Sequence, residues 1–250
     1  MKNKLFHRVG SSVLICFIWI AVWWIASLLI DIKFPDLLPS PVATLKALID
    51  ILGQEYFYKV VLFSTGRVVI ALLLGVTVGI FLAFPCHKIL FLRRLVSPFI
   101  SVIKAMPVAT FILLLWVTLR GSSLTIFIGF IMVLPIIFQN ALSGLDSIDK
   151  ELLEVTKIYG FNRGKTLKIL IFPSLKSYLF PAIITSVGLA FKAQIAAEVI
   201  AYTNRSIGQY IYDSTLSQST DYVFAWASVI VTLSIGLEWL CRKLVGRYKV

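Results

Sequence analysis

Side chains able to carry charge or exchange strong hydrogen bonds interrupt otherwise apolar runs, among them Lys104, Lys192, Gln194 and Glu198. An ionisable group at mid-bilayer costs about 2.5 to 3.5 kcal/mol on insertion scales, so such groups turn toward a bundle interior or a wet cavity. The chemistry open to them is holding and passing a solute, or pairing across helices. At ~1.5 Å per residue, Lys192 lies about 12 Å below the outer end of its run, further than a lysine stem comfortably reaches, and it is expected to point inward. Lys192 and Glu198 lie about 240° apart on a helix of ~3.6 residues per turn, so each needs a partner elsewhere. For Lys192 the alternatives are lining a solute path and an interhelical ion pair. For Glu198, close to the outer interface, they are the path and hydrogen bonding to neighbouring backbone. Lys104 either faces the path or snorkels to the inner headgroups. Met106 and Pro107 beside it, and Pro135 further on, supply the helix irregularity that gated pathways use. Arg67 and Glu238 read as structural. The cationic bias suits an anionic solute without identifying one.

The competing class is an integral membrane enzyme, such as a lipid-modifying transferase, which needs clustered carboxylates, histidines or a nucleophile at the interface. His7 and His87 stand apart, and Cys16, Cys86 and Cys241 are widely separated, without metal-ligand spacing. Asp146 and Asp149 form a DxxD pair whose ordinary role at a helix start is capping, not metal binding. Gly160, Gly164, Lys165 and Thr166 look like a phosphate loop. That loop needs four residues between its glycines and a preceding strand; here one residue is missing and a helix precedes. No catalytic, metal or cofactor site is expected, and ATP binding by this chain is not.

The elements that position these residues are membrane helices. Of 250 residues, 59% are hydrophobic and 14% charged, with mean hydropathy +0.92, outside the range of soluble domains. Runs at about 9–30, 60–84, 97–119, 123–142, 178–201 and 222–241 each approach the ~20 residues that cross a bilayer. The first is too long for a signal peptide and carries Trp19, Trp23 and Trp24. Ser40 can cap, and Pro41 begin, an amphipathic helix with Leu45, Leu48, Ile49 and Leu52 on one side, expected along the outer surface. The expected architecture is all-α: one integral membrane domain over residues 1–250, with six transmembrane helices.

Charge then sets orientation. Arg67, Lys104 and Lys192 lie within spans. Of the other Lys and Arg residues, only Lys33, Lys46, Lys59, Arg120 and Arg205 fall in segments assigned outside. The rest, including Lys2, Lys4, Arg8, Arg247 and Lys249, fall inside, an asymmetry that places both termini in the cytoplasm of a multi-pass cell-membrane protein. A net charge of +12 in short clusters between spans makes lipid, not nucleic acid, its partner.

One connection, 146–176, is polar and too long to be a mere turn, which gives it a function to explain. Asp149 can cap a helix of about three turns, Glu151 sits in its first turn, and Gly160 can end it in a left-handed conformation. Ile148, Leu152, Val155 and Tyr159 form one apolar stripe, with Lys150 and Glu154 on the wet side. A second short helix, capped by Asn162, should stop before Pro173. The pair either packs on its own spans or docks a soluble partner, with Glu154 orienting the contact.

Glu154, Gly160 and the Leu170-Ile171-Phe172-Pro173 ending resemble, with matching spacing throughout, the EAA motif of ABC-importer permeases. Val155 and Thr156 replace the two alanines, and Leu170 and Phe172 replace Ile and Leu. Leu-Pro-Ser-Pro at 38–41, Arg67 in a Gly-spaced span, Lys104-Ala-Met-Pro107, Ala197-Glu198-Val199-Ile200 and Ser206-Ile207-Gly208 look like the nitrate, sulfonate and taurine permease group. The resemblance implies a type I importer fold in which Leu152, Glu154, Val155, Tyr159, Gly160 and Pro173 serve a coupling-helix pair. It also implies two ABC ATPase subunits, a second permease copy as a homodimer and an extracytoplasmic solute-binding protein. ATP-driven closure would open the cavity outward and hydrolysis would reset it. The solute path would draw on Lys104, Met106, Pro107, Lys192, Gln194 and Glu198.

Overall fold

A computed structural model describes residues 2–246 of the chain, and the side chains of residues 14–244. The side chains of Lys2, Lys4 and Arg8, and residues Arg247 and Lys249, lie outside that description. Among the described residues the regular structure is entirely helical. In order come α1 (Lys2–Asp31), α2 (Pro41–Gly53), α3 (Glu55–Lys88), α4 (Leu90–Ala105), α5 (Val108–Trp116) and α6 (Gly121–Asp146). Then follow α7 (Lys150–Ile158), α8 (Arg163–Thr166), α9 (Phe172–Ile200), α10 (Ile207–Leu216) and α11 (Thr220–Gly246). Among the described residues five helical stretches are long and apolar enough to cross a bilayer: Leu14–Asp31, α3, α6, Arg163–Ile200 and Thr220–Leu244.

The expected third span differs. It is a bent pair, α4 and α5, meeting at 101°. Pro107 has no N–H to continue the ladder, and its ring pushes the preceding residue out of helical conformation. Met106 is accordingly extended, at ψ 132°, and Pro107 becomes the residue from which α5 starts. Pro135, by contrast, is buried within a continuous α6.

By internal contacts the chain falls into two units: residues through Lys59 with Tyr210–Ile230, and Val60–Gln209 with the chain from Val231. The first is held by aromatic packing and a few polar ties. Trp226 is buried against Phe57, Tyr56 stacks on Tyr210, and Trp23 Nε1 donates to Pro39 O at 3.1 Å. Ser40 caps α2 as expected, its Oγ accepting from Ala43 N at 3.2 Å. Leu45, Ile49 and Leu52 face outward, while Thr44, Ala47 and Ile51 supply the buried side of α2.

The second unit is built on α6 and α9. Ile128, Ile131 and Met132 pack with Ala193 and Ala197. Helix α3 approaches α6 through small residues: a Cβ at Gly75 would lie 2.6 Å from Val133 Cγ1, and one at Gly79 2.9 Å from Ile137 Cγ2. Without a hydrophobic drive between helices in lipid, such close backbone approach is what makes dispersion count.

Candidate coupling surface and solute path

Helix α7 is fixed at both ends by its own sequence. Asp149 Oδ1 accepts from Glu151 N at 2.9 Å, satisfying one of the orphan amides of the first turn. At the other end Gly160 takes φ +64°. Phe161 N donates to Thr156 O at 2.9 Å and Gly160 N to Lys157 O at 3.0 Å, the paired bonds of a Schellman termination. Asn162 then caps α8, its Oδ1 accepting from Lys165 N at 2.8 Å.

The face of α7 that packs on the chain is not the expected stripe. Thr156 is buried and Leu153 half-buried; they line a cavity with Ile148 and Phe161. Leu152, Val155, Ile158 and Tyr159 instead point away, with exposures of 50, 43, 82 and 74%. Ile148 therefore leaves the stripe and Ile158, missed by the spacing, joins it. Glu154 is exposed one turn before Ile158. A short helix anchored by Leu153 and Thr156 thus presents four apolar side chains with an acid among them.

Pro173 does not end the second helix. After α8 a π turn, Leu167–Ile171, leads directly into α9, and Phe172 N donates to Leu167 O. Pro173 sits in the first turn of α9, where a missing N–H is tolerated. Ser174 Oγ takes up Leu170 O at 2.9 Å. The result is a helical run of 38 residues from Arg163 to Ile200, roughly 57 Å at ~1.5 Å per residue.

At the far end of that run lies a buried polar network. Glu198 is 0% and Arg67 8% exposed. Glu198 accepts from Arg67 Nη1 at 3.1 Å, Ser64 Oγ at 2.8 Å and Gly208 N at 3.2 Å. Arg67 also donates to Ser122 Oγ at 3.0 Å and Asn204 O at 3.3 Å. Ser64 Oγ accepts from Ile207 N at 3.0 Å, and Gln194 Nε2 donates to Ser64 O at 2.9 Å. Glu198 and Gln194 are therefore enclosed by protein in this conformation instead of facing a wet path, and the partner Glu198 needs is Arg67. A buried charge survives only when paired and hydrogen-bonded, and both conditions are met here. Sequence reasoning set Arg67 aside as structural; its position mid-run with Glu198 unpaired was the available signal. Gly208 is required by proximity, because a Cβ there would stand 2.3 Å from Glu198 Cβ.

The remaining candidates are placed apart from this network. Lys192 is exposed, on a face of α9 that also carries Thr185, Leu189 and Ala196 at helical spacing. It does not point into the packing of its own chain, since the neighbouring turns bury Ala190, Phe191, Ala193 and Gln194. Lys104, at the end of α4, donates to Gln139 Oε1 at 2.8 Å. A neutral partner leaves its charge uncompensated. Met106 and Pro107 form the α4–α5 break. Asp146 is held by Arg93 Nη1 and His87 Nδ1, both at 2.8 Å, and Asp149 is a cap. Among the described residues no group of three or more His, Cys, Asp or Glu could hold a metal ion.

Comparison with known proteins bears on the whole chain. A family described as binding-protein-dependent transport system inner membrane component matches residues 75–250. The taurine transport system permease protein TauC of Escherichia coli is 24% identical over 248 residues, covering 96% of this chain and 89% of that protein. The nitrate import permease protein NrtB of Synechococcus elongatus is 26% identical over 208 residues, covering 79% and 73%. A bicarbonate transport system permease protein, CmpB of Synechocystis, is 26% identical over 188 residues, covering 73% and 67%. In fold, the chain is similar to one in the crystal structure of a bacterial alginate ABC transporter bound to its periplasmic protein. That match has a TM-score of 0.64 at 14% identity and covers 98% of this chain and 96% of that one.

Proposed function

The chain belongs to the family of binding-protein-dependent transport system inner membrane components, and from that premise we propose how its parts do the work of an importer. It is the membrane permease of an ABC importer and not an enzyme; ATP is hydrolysed in partner subunits, and a solute-binding protein delivers the cargo. In the proposed mechanism the 146–176 segment lies in the cytoplasm with both termini, as the positive-inside asymmetry requires. Two ATPase subunits serve two copies of this chain. Each ATPase receives the outward face of one α7: Leu152, Val155, Ile158 and Tyr159 fill its groove, and Glu154 orients the contact. The observation that carries this reading is that α7 spends Leu153 and Thr156 on its own chain and leaves a second apolar face open.

Movement of α7 then has a route through the fold. Thr156 and Leu153 fix α7 to the rest of its unit, and the Gly160 turn joins it to the continuous run from Arg163 to Ile200. A rod of that kind transmits a displacement at one end to the other, where Glu198 is clamped to Arg67, to the Gly208 amide and, through Ser64, to the Ile207 amide. Lys192 lies on this rod and Lys104 beside the α4–α5 break, so both are assigned to the solute path. Gln194 and Glu198 serve as its clamp.

The solute we propose is a small molecule bearing an oxyanion group, of the nitrate, sulfonate or taurine kind. The support is chemical: Lys104 and Lys192 are exposed cations without an acidic partner among the described residues, and the relatives named for a solute are named for taurine, nitrate, bicarbonate and sulfonates. The test of the coupling reading is co-purification. Glu154→Lys is expected to abolish capture of the ATPase while the permease remains folded; undiminished capture would remove α7 as the docking element.

A further inference from the structure

The inner face of α7 borders a cavity of about 500 Å³ that the coupling reading does not use. Its apolar lining includes the buried Leu145 of α6 and the half-buried Phe84 of α3 and Ile171 of the π turn. Its rim is basic: Lys88 from the end of α3, Lys157 from α7 and Arg163 from the start of α8. Among the described residues lining it there is no Asp or Glu. Lys88, Lys157 and Arg163 make no ion pair or side-chain hydrogen bond among the described residues, whereas the nearby acid Asp146 is already taken by Arg93 and His87.

Three uncompensated cations over an apolar floor, at the end of a membrane helix, match an amphiphile with an anionic head. The approach to the cavity matches it too. On α3, Leu74, Phe81 and Lys88 recur every seven residues on one face, with Phe84 beside them; Leu74 and Phe81 are 45 and 73% exposed. An apolar strip thus runs from the lipid-facing part of α3 into the basic rim.

We propose that this cavity binds an anionic phospholipid, its phosphate held by Lys88, Lys157 and Arg163 and its acyl chains lying on Phe84 and the outer face of α3. The headgroup then wedges beneath α7 through Lys157 and Arg163, on the side opposite the ATPase-docking face, so lipid composition sets how firmly α7 is held. A membrane phospholipid, not free phosphate, is the occupant because the strip and the floor are apolar. The proposal rests on the cytoplasmic placement of α7, and its readout is lipid retention, separate from ATPase capture.

The experiment uses the intact transporter in mild detergent and native mass spectrometry, with phosphatidylglycerol or phosphatidylcholine added. Wild type is expected to retain phosphatidylglycerol preferentially. The variant Lys88→Gln/Lys157→Gln/Arg163→Gln should retain it on the order of a hundredfold less, as the loss of three headgroup cations at about 1 kcal/mol each requires. Arg94→Gln/Lys150→Gln/Lys168→Gln, which removes the same charge outside the cavity, should behave as wild type. ATPase capture should persist in all three proteins. Equal retention by wild type and the rim variant, equal retention of phosphatidylcholine, equal loss in the control variant, or displacement of the lipid by millimolar inorganic phosphate would each overturn the site. Loss of ATPase from wild type would instead count against the coupling reading.

Discussion

Arg67 Nη1 lies 3.1 Å from Glu198 Oε1, between side chains 9% and 0% exposed, and this pair ties α3 to the far end of α9. Removing either partner strands the other's charge in a low-dielectric site, which costs about 3 to 5 kcal/mol. Arg67→Met and Glu198→Gln are each expected to destabilise the detergent-solubilised permease by that order. Arg67→Met/Glu198→Gln should recover part of the loss, giving a coupling energy of roughly 1 to 3 kcal/mol in a double-mutant cycle. Additive effects would mean the pair is not coupled.

Gly208 tests the same clamp from the backbone side. An added methyl must displace Glu198, whose Cβ would be 2.3 Å away. Gly208→Ala is expected to cost about 1 to 3 kcal/mol by overpacking, whereas Gly53→Ala, with nothing within 4 Å, should leave thermal unfolding unchanged or slightly raised.

Gly160 separates conformational strain from steric clash. Nothing lies within 4 Å of a Cβ there, and its φ is +64°. Gly160→Val must therefore act through the backbone alone, costing about 1 to 2 kcal/mol in the left-handed region. Its expected signature is weakened ATPase capture. Gly160→Asn, which tolerates that conformation, should retain more of it. Equal behaviour of the two would mean the Schellman turn does not set the pose of α7.

Lys192 is the path residue most open to test. In proteoliposomes carrying the whole importer, Lys192→Met is expected to lower solute uptake about tenfold, the scale of a lost charge-assisted contact of ~1.4 kcal/mol. Basal ATP hydrolysis should be unchanged. Uptake at the wild-type rate would remove Lys192 from the path.

Much of this was legible in the residues, for reasons that can be named. Caps are local, so Ser40, Asp149 and Asn162 declared their helices, and Gly160 its turn. Hydropathy declared the membrane runs because a bilayer demands length and little else. What failed was non-local. The spacing of Leu152, Val155 and Tyr159 marked an apolar face on α7 without saying that Leu153 and Thr156 would take the inner side. The rule that proline stops a helix misplaced the boundary at Pro173, since a π turn just before it lets the helix run on. At Pro107 the same rule was applied too gently, and a kinked span proved to be a 101° bend. Glu198 was seen to need a partner, and an arginine inside another apolar run was the one hint of it, but spacing along the chain does not bring together residues 131 apart.

The most direct test of the central claim places a photo-crosslinking amino acid at single positions of α7 in the intact importer. At Ile158 or Tyr159, on the open face, the account predicts crosslinks to the ATPase. At Leu153, on the inner face, it predicts crosslinks only within the permease. Crosslinking to the ATPase from Leu153, or its absence from both Ile158 and Tyr159, would contradict the assignment of α7 as the element that grips the motor.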